Sequence, residues 1–219
     1  MTAAPRRSHA ERTDLSDSRM RDAAIRLIVE RGTDRTTLKD VGEHAGYSRG
    51  LAGYRFGSKA GLFEFIVRSV GERWLADLKR VTSTRTGFGA IGAAIDAHCQ
   101  FCLDGADDLR AFYILWFESI GVQSEVKSVI AGIHERRRDD TARWLLEAGM
   151  NDANDRHALA AHFNTAVLGI AYQWLAMPDD LDAVKRLHHT LKLTMQLSVN
   201  VATADVSSVA ATPPRNCDE

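Results

Sequence analysis

Apolar residues recur along this chain at spacings of three and four, the period of a helix with one buried face. Met20, Ala24, Leu27 and Ile28, followed by Arg31 and then Gly32, predict a helix with a glycine stop. Thr37-Leu38-Lys39-Asp40 reads as a variant capping box, with Asp for the usual Glu, opening a short helix through Ala45 that Gly46 ends. Ser48 is placed to cap the next helix, roughly residues 49–55. Ser58 is placed to cap a much longer one, with the stripe Leu62, Phe63, Ile66, Val67, Val70, Trp74 and Leu78. Phe88, Ile91, Ile95, His98, Cys99 and Cys102 share a further helical face, and an aromatic-dense stretch follows over residues 106–120. Helical patterns then occupy roughly residues 125–148, 156–177 and 181–201. No proline lies between Pro5 and Pro178, and neither β-alternation nor an internal repeat is present. The pattern predicts an all-α protein of about nine helices: a helix-turn-helix domain over 16–62 and a helical body over 63–202. Residues 1–15 and 203–219, polar or small and terminal, are expected to be a disordered arm and tail.

Composition narrows the function. A net charge of −1 hides an asymmetry: residues 1–63 carry 12 Lys+Arg against 8 Asp+Glu, net +4, leaving −5 for the rest. A basic head on an acidic body suggests that one end meets polyanions. Three cysteines in 219 residues make no disulfide framework, which favours a reducing compartment. There is no run of 18 apolar residues, and Arg6-Arg7 precedes polar sequence rather than the apolar core of an export signal, so a cytoplasmic location is expected. Neither a nucleophile elbow, an HExxH pair nor a Gly-rich phosphate loop occurs, so no enzyme and no cofactor is expected. Cys99-Gln100-Phe101-Cys102 and His188-His189 are weak metal signals, because a structural zinc needs four ligands and no second closely spaced Cys/His pair appears. Buried cysteines and no metal are the expectation.

The informative stretch is Thr36–Leu62, TTLKDVGEHAGYSRGLAGYRFGSKAGL. Two short helices joined by Ala45-Gly46-Tyr47-Ser48 follow helix-turn-helix grammar, in which the first helix braces the second and the second enters the major groove. The segment resembles the DNA-binding domain of the TetR (tetracycline-repressor) family. The features carrying the resemblance are the Thr-capped helix at Thr37, then Ala45, Gly46, Ser48, Gly50, Phe56, Lys59 and Leu62, in the family's order and spacing over residues 18–63. Two positions depart from it. Ala52-Gly53 stands where the family usually has a Leu-Tyr pair, with Tyr54 one place later, and Arg55 stands where it often has His. Operator preference therefore does not transfer with the binding mode.

Candidate DNA contacts are Thr37, Ser48, Arg49, Gly50, Tyr54, Arg55 and Lys59. Lys59, in the first turn of the long helix, suits a phosphate together with the free N–H groups there. Thr37 offers a hydroxyl and neighbouring N–H groups to another phosphate. Arg49, at the start of the recognition helix, is the candidate for bidentate guanine readout. Gly50 lets the backbone approach, and Tyr54 and Arg55 are candidates for sugar and phosphate. Leu51 and Phe56 read as core.

The resemblance implies a ligand in the helical body and a dimer built on its last two long helices. An apolar pocket with a few polar anchors is expected around His98, Phe101, Phe112, Tyr113, Trp116, Phe117 and His162. The stripe Phe163, Ala166, Val167, Ile170 and Trp174, with Leu181, Val184, Leu187, Leu191 and Met195, is expected to form the interface of a homodimer. Internal packing is the competing reading of both sets. The expected function is a dimeric regulator of a near-palindromic double-stranded DNA operator, released by a largely apolar small molecule. A DNA-binding dimer without ligand is the alternative, and a helical enzyme acting on an apolar small molecule a weaker one.

Overall fold

A computed structural model of the protein describes residues 8–104, 106–120 and 125–210. Among these residues it is all helical: α1 His9–Arg31, α2 Leu38–His44, α3 Leu51–Phe56, α4 Lys59–Thr82, α5 Gly87–Asp104, α6 Ala106–Ser119, α7 Glu125–Glu147, α8 Ala153–Ala176 and α9 Leu181–Ala210. No described helix is long and apolar enough to cross a membrane.

Two compact units share the chain, divided within α4 and within α7. The first holds α1, α2, α3, α4 as far as Trp74, and α6; the second holds α5, most of α7, α8 and α9. This division differs from the expected boundary after residue 62, because α6 belongs with the N-terminal helices despite the intervening α5.

In the first unit α1 packs against α2 and α6, and α2 against α3. The buried residues include Met20, Ala24, Leu27 and Ile28 of α1, the stripe read from the sequence, with Val41, Ala52, Leu62, Ile66 and Val67 from α2 to α4. Thr33 Oγ1 donates to Glu118 Oε1 at 2.9 Å, and Arg73 pairs with Asp108, so polar ties join α6 to the chain around α1 and to α4.

Both outer boundaries correct the sequence reading. The arm expected over residues 1–15 is helical from His9 onward. Ser8 Oγ accepts from Glu11 N at 3.2 Å while Glu11 Oε2 accepts from Ser8 N at 2.7 Å, a reciprocal capping box. Two of the orphan N–H groups of the helix start are thus satisfied locally, without an apolar stripe to signal it. Arg12 lies within this helix, while Arg6 and Arg7 lie outside the described residues. At the other end α9 continues to Ala210, past the expected stop near 201, and residues 211–219 lie outside the described residues.

The second unit is built on α9, which packs against both α5 and α8. Its core includes Ile91 and Ile95 of α5, Phe163, Val167, Ile170 and Trp174 of α8, and Val184, Leu191, Met195 and Val199 of α9. The stripes expected to meet a second subunit are therefore largely spent inside one chain. Trp174 is 2% exposed and Leu191 6%, and a side chain already buried has no area left to bury again. Ala166 and Leu187 are half-buried beside them.

Candidate nucleic-acid interface

The recognition unit is assembled from its turn. α2 ends in a Schellman motif: Tyr47 N donates to Gly42 O at 2.9 Å and Gly46 N to Glu43 O at 3.0 Å. This places Gly46 at φ +78°, the left-handed region that glycine enters without a Cβ penalty. Gly42 is required for a different reason. A Cβ there would lie 2.8 Å from the Ser48 carbonyl oxygen, so the turn can close onto α2 only where no side chain intervenes. Gly46 is legible in the sequence as a turn glycine, whereas the position of Gly42 inside a helix gives no local turn signal.

Thr37 caps α2 as expected, its side chain accepting from Asp40 N at 3.2 Å, and the residue is exposed. Hydrogen bonding by Thr37 and the charge of Arg31, whose Nη2 lies 2.7 Å from Asp40 Oδ2, hold the Asp40 carboxyl below its ordinary pKa. The start of α3 differs from expectation. Its N-cap is Gly50, with no side-chain hydrogen bond, and the helix opens at Leu51. Ser48 is therefore not the cap, and it stands exposed in the turn with Arg49 and Gly50. Arg49 is bound through Nε to Glu43, which leaves its terminal nitrogens outside that contact, and its side chain is 70% exposed. Beyond the adjoining backbone, nothing approaches the Cβ position of Gly50 or Gly53 within 4 Å, so both present open backbone. Tyr54 is 89% exposed, an unusual position for a large aromatic in a packed domain. Phe56 is half-buried, its ring 5.1 Å from that of Phe65, in keeping with a packing role.

Arg55 has a structural duty that the sequence did not show. Its Nε donates to Asp17 Oδ1 at 2.7 Å, and its Nη2 binds Asp17 Oδ2. This two-point pair ties α3 to α1, and the Asp17 hydrogen bonds and charge push the Arg55 pKa up. Lys59 opens α4 one residue after Ser58, whose Oγ accepts from Gly61 N at 3.0 Å, the expected cap. The Lys59 ammonium lies 5.7 Å from the Phe63 ring centroid and donates to the Asp34 carbonyl at 3.2 Å. An ammonium has three donors, so this contact positions it without exhausting it.

The expected pocket residues divide between the units. Phe112, Tyr113, Trp116 and Phe117 form an aromatic cluster on α6 in the first unit. The Trp116 and Phe117 rings are stacked at 5.7 Å with 9° between planes, and Tyr113 lies 5.6 and 6.0 Å from them. Phe112 and Tyr113 are buried, while Trp116 and Phe117 remain partly exposed.

His98, Phe101 and His162 belong to the second unit. His98 is buried against His188, with Nδ1 2.8 Å from His188 Nε2, and so acts within the core rather than as a polar anchor of a pocket. Burial, Arg137 and His188 together hold the His98 pKa well below its ordinary value. Burial pushes the Cys102 thiol up to about 12, helped by neighbouring Cys99. Phe101 is half-buried on the same helix. His162 is exposed on an open groove of about 630 Å³ between α8 and α9, lined also by Met150, Leu159, Leu197 and Val201.

The family model described as "Bacterial regulatory proteins, tetR family" matches residues 21–66, the span from mid-α1 into α4. The HTH-type transcriptional regulator BetI of Burkholderia cenocepacia (strain HI2424) is 30% identical over 101 residues, 45% of this chain. The chain spans about half the length of the curated relatives it first matches, 52% for this one. A transcriptional regulator from Rhodococcus sp. RHA1 superposes with a TM-score of 0.73 at 21% identity, over 86% of this chain and 98% of that one. The complex of SmeT with triclosan superposes with a TM-score of 0.61 at 20% identity, over 87% and 90%. At these identities the two structures show the shared fold. The sequence match is confined to the helix-turn-helix, where residues 21–66 fit the model of the TetR family of bacterial regulatory proteins.

Proposed function

We propose that the protein is a homodimeric, ligand-responsive transcriptional regulator, acting as a repressor, whose helix-turn-helix binds a near-palindromic DNA operator. The observation that carries this reading is the exposed edge Ser48-Arg49-Gly50 with Tyr54, set on a turn closed by Gly42 and Gly46. Thr37 and Lys59, at the first turns of α2 and α4, supply hydroxyl, ammonium and helix N-termini for phosphates. Arg49 reads a base with its terminal nitrogens while Glu43 steadies its Nε. Arg55 contributes to the backbone contact chiefly by fixing α3 on α1. The matched proteins are named as transcriptional regulators, not as catalysts.

The dimer is assigned to the outward face of α8 and α9. Of the nine large apolar side chains exposed among the described residues, six lie between Tyr172 and Val201. Leu193, Leu197 and Val201 recur at four-residue steps along α9, a continuous exposed stripe that a second copy would cover. The effector is a largely apolar small molecule that meets the partly exposed Trp116 and Phe117 rings. Its action follows linkage: a ligand that weakens operator binding must itself bind the operator complex less tightly by the same factor.

The test is binding to fragments of the gene's own upstream DNA across a salt series. Arg49→Ala should cost about 1–3 kcal/mol on the specific site and relax preference at one base pair per half-site. Lys59→Ala should weaken all sequences alike and lower the salt slope by about one. An unchanged salt slope in Lys59→Ala, with uniform loss in Arg49→Ala, would show the two roles misassigned.

A further inference from the structure

His98 and Cys102 stand one helical turn apart on α5, and His188 faces them from α9 within the second unit. All three are buried, and one donor atom from each lies within 4.8 Å of the other two. His98 Nδ1 is 2.8 Å from His188 Nε2 and 3.9 Å from Cys102 Sγ. We propose that His98 Nδ1, Cys102 Sγ and His188 Nε2 form a three-coordinate site for a soft monovalent d10 cation, copper(I), that joins α5 to α9.

Three features of the arrangement carry the assignment. The first is preorganisation of the ligand from α9. His188 Nδ1 lies 2.7 Å from the Val184 carbonyl, which can only accept, so the neutral ring keeps its proton on Nδ1 and its lone pair on Nε2. A backbone carbonyl that fixes the tautomer in this way is the usual outer partner of a metal-binding histidine. The second is distance. Metal–nitrogen and metal–sulfur bonds of about 2.0–2.3 Å space three ligand atoms roughly 3.5–3.8 Å apart. The histidine pair therefore has to open by less than 1 Å about an ion at its centre. Beside it, Lys192 Nζ and Asp96 Oδ2 at 2.8 Å already hold α9 to α5 one turn further along α9.

The third is the donor set. A thiolate with two imidazoles selects soft or borderline ions, and three ligands complete the shell of copper(I), whereas a structural zinc takes four. Among the described residues no carboxylate, histidine or further cysteine joins the cluster as a fourth. One thiolate also neutralises a monovalent ion, so no net charge is left in a buried site, while zinc would leave one. The ion replaces the thiol proton, which is released, and the proton that His98 Nδ1 shares with His188 moves to His98 Nε2. No electron transfer is involved. The proposal does not depend on the DNA-binding reading, since it rests on α5 and α9 alone.

The full chain carrying Cys99→Ser and Cys217→Ser, with Cys102 its sole thiol, is reduced, loaded anaerobically with copper(I) and desalted. One copper per chain is expected, with one sulfur and two imidazole ligands in its X-ray absorption spectrum. Cys102→Ser or His188→Gln in that background should lower retention at least tenfold, His189→Gln should not, and zinc(II) should be retained at less than a tenth of the copper level. Failure of the parent chain to retain copper would overturn the site. So would retention unaffected by Cys102→Ser, an absorption spectrum lacking imidazole scattering, or zinc held in preference. The spectrum of the parent chain keeps the test decisive even where a ligand variant folds poorly.

Discussion

Arg55 on α3 and Asp17 on α1, 38 residues apart, are joined through two nitrogens and two oxygens, and the Asp17 side chain is only 12% exposed. The pair sets the recognition helix against the helix that braces it. Breaking it from the arginine side leaves a carboxylate in a largely buried place. Arg55→Met is therefore expected to destabilise the chain by about 1–3 kcal/mol. The companion Asp17→Asn in the Arg55→Met background should recover much of that loss, because the stranded charge is gone. Urea unfolding of the two single variants and the double variant measures this. Additive losses would mean that the two side chains act independently.

Gly42 offers a sharper test of the turn. A methyl group at that position would lie 2.8 Å from backbone oxygen of Ser48, and backbone cannot swing aside as a flexible side chain does. Gly42→Ala should therefore weaken operator binding strongly, by displacing Ser48 and Arg49, although alanine is the better helix former by about 1 kcal/mol. Gly53→Ala, where nothing beyond its chain neighbours and its own helix backbone lies within 4 Å of the added carbon, is the control and should stabilise α3. Gel-shift titrations beside thermal melts of both variants separate the effects. Equal operator affinity in Gly42→Ala and the native chain would show that the turn tolerates the shift.

How far the sequence could be read depended on whether its signals were local. The caps at Thr37 and Ser58, the left-handed Gly46 and the α1 stripe are set by residues within a turn of one another, and the structure has them all. Pairings between distant segments were out of reach, which is why Asp17–Arg55 and His98–His188 were invisible. The stripes of α8 and α9 are legible as buried faces, but the element that buries them is not. Helical periodicity reports that a face is buried, not what buries it, and here α5, α8 and α9 bury one another. Residues 9–15 read as part of an arm because only Ala10 and Leu15 there are aliphatic, while the capping box at Ser8 and Glu11 lies in polar sequence.

Assembly is tested on the exposed stripe of α9 and not on its buried one. Leu191, 6% exposed, belongs to the core of the second unit, so Leu191→Glu should unfold the chain rather than split a dimer. Leu197, 65% exposed on the stripe with Leu193 and Val201, is the position to charge. Leu197→Glu should leave the helical signal and the monomer's stability within about 0.5 kcal/mol of the native chain. It should also yield monomers in sedimentation and lower operator affinity, since one half-site supplies only part of the contact. An intact dimer in Leu197→Glu would place the interface elsewhere.

Acid should destabilise the second unit through its histidines. Burial, with Arg137 and Arg138, lowers the His134 pKa to about 4, against an ordinary value of 6.5. Burial also lowers His98 and His188, so all three act in one direction. Between the two His134 values the unfolded chain binds a proton that the folded chain refuses, so stability falls as pH falls. The contribution is complete above about pH 6.5 and is lost progressively down to about pH 4, below which both states are protonated. With one pKa unit equivalent to about 1.4 kcal/mol, and allowing for partial exposure of the ring, His134 accounts for roughly 1–2 kcal/mol across that window. His134→Gln removes the titration and keeps a polar side chain of similar reach. Urea midpoints of the native and variant chains at intervals from pH 7.5 to pH 4 should differ in slope, the variant losing less. Parallel curves would mean that His134 is as easily protonated folded as unfolded, and that the acid sensitivity of the chain comes from its other groups.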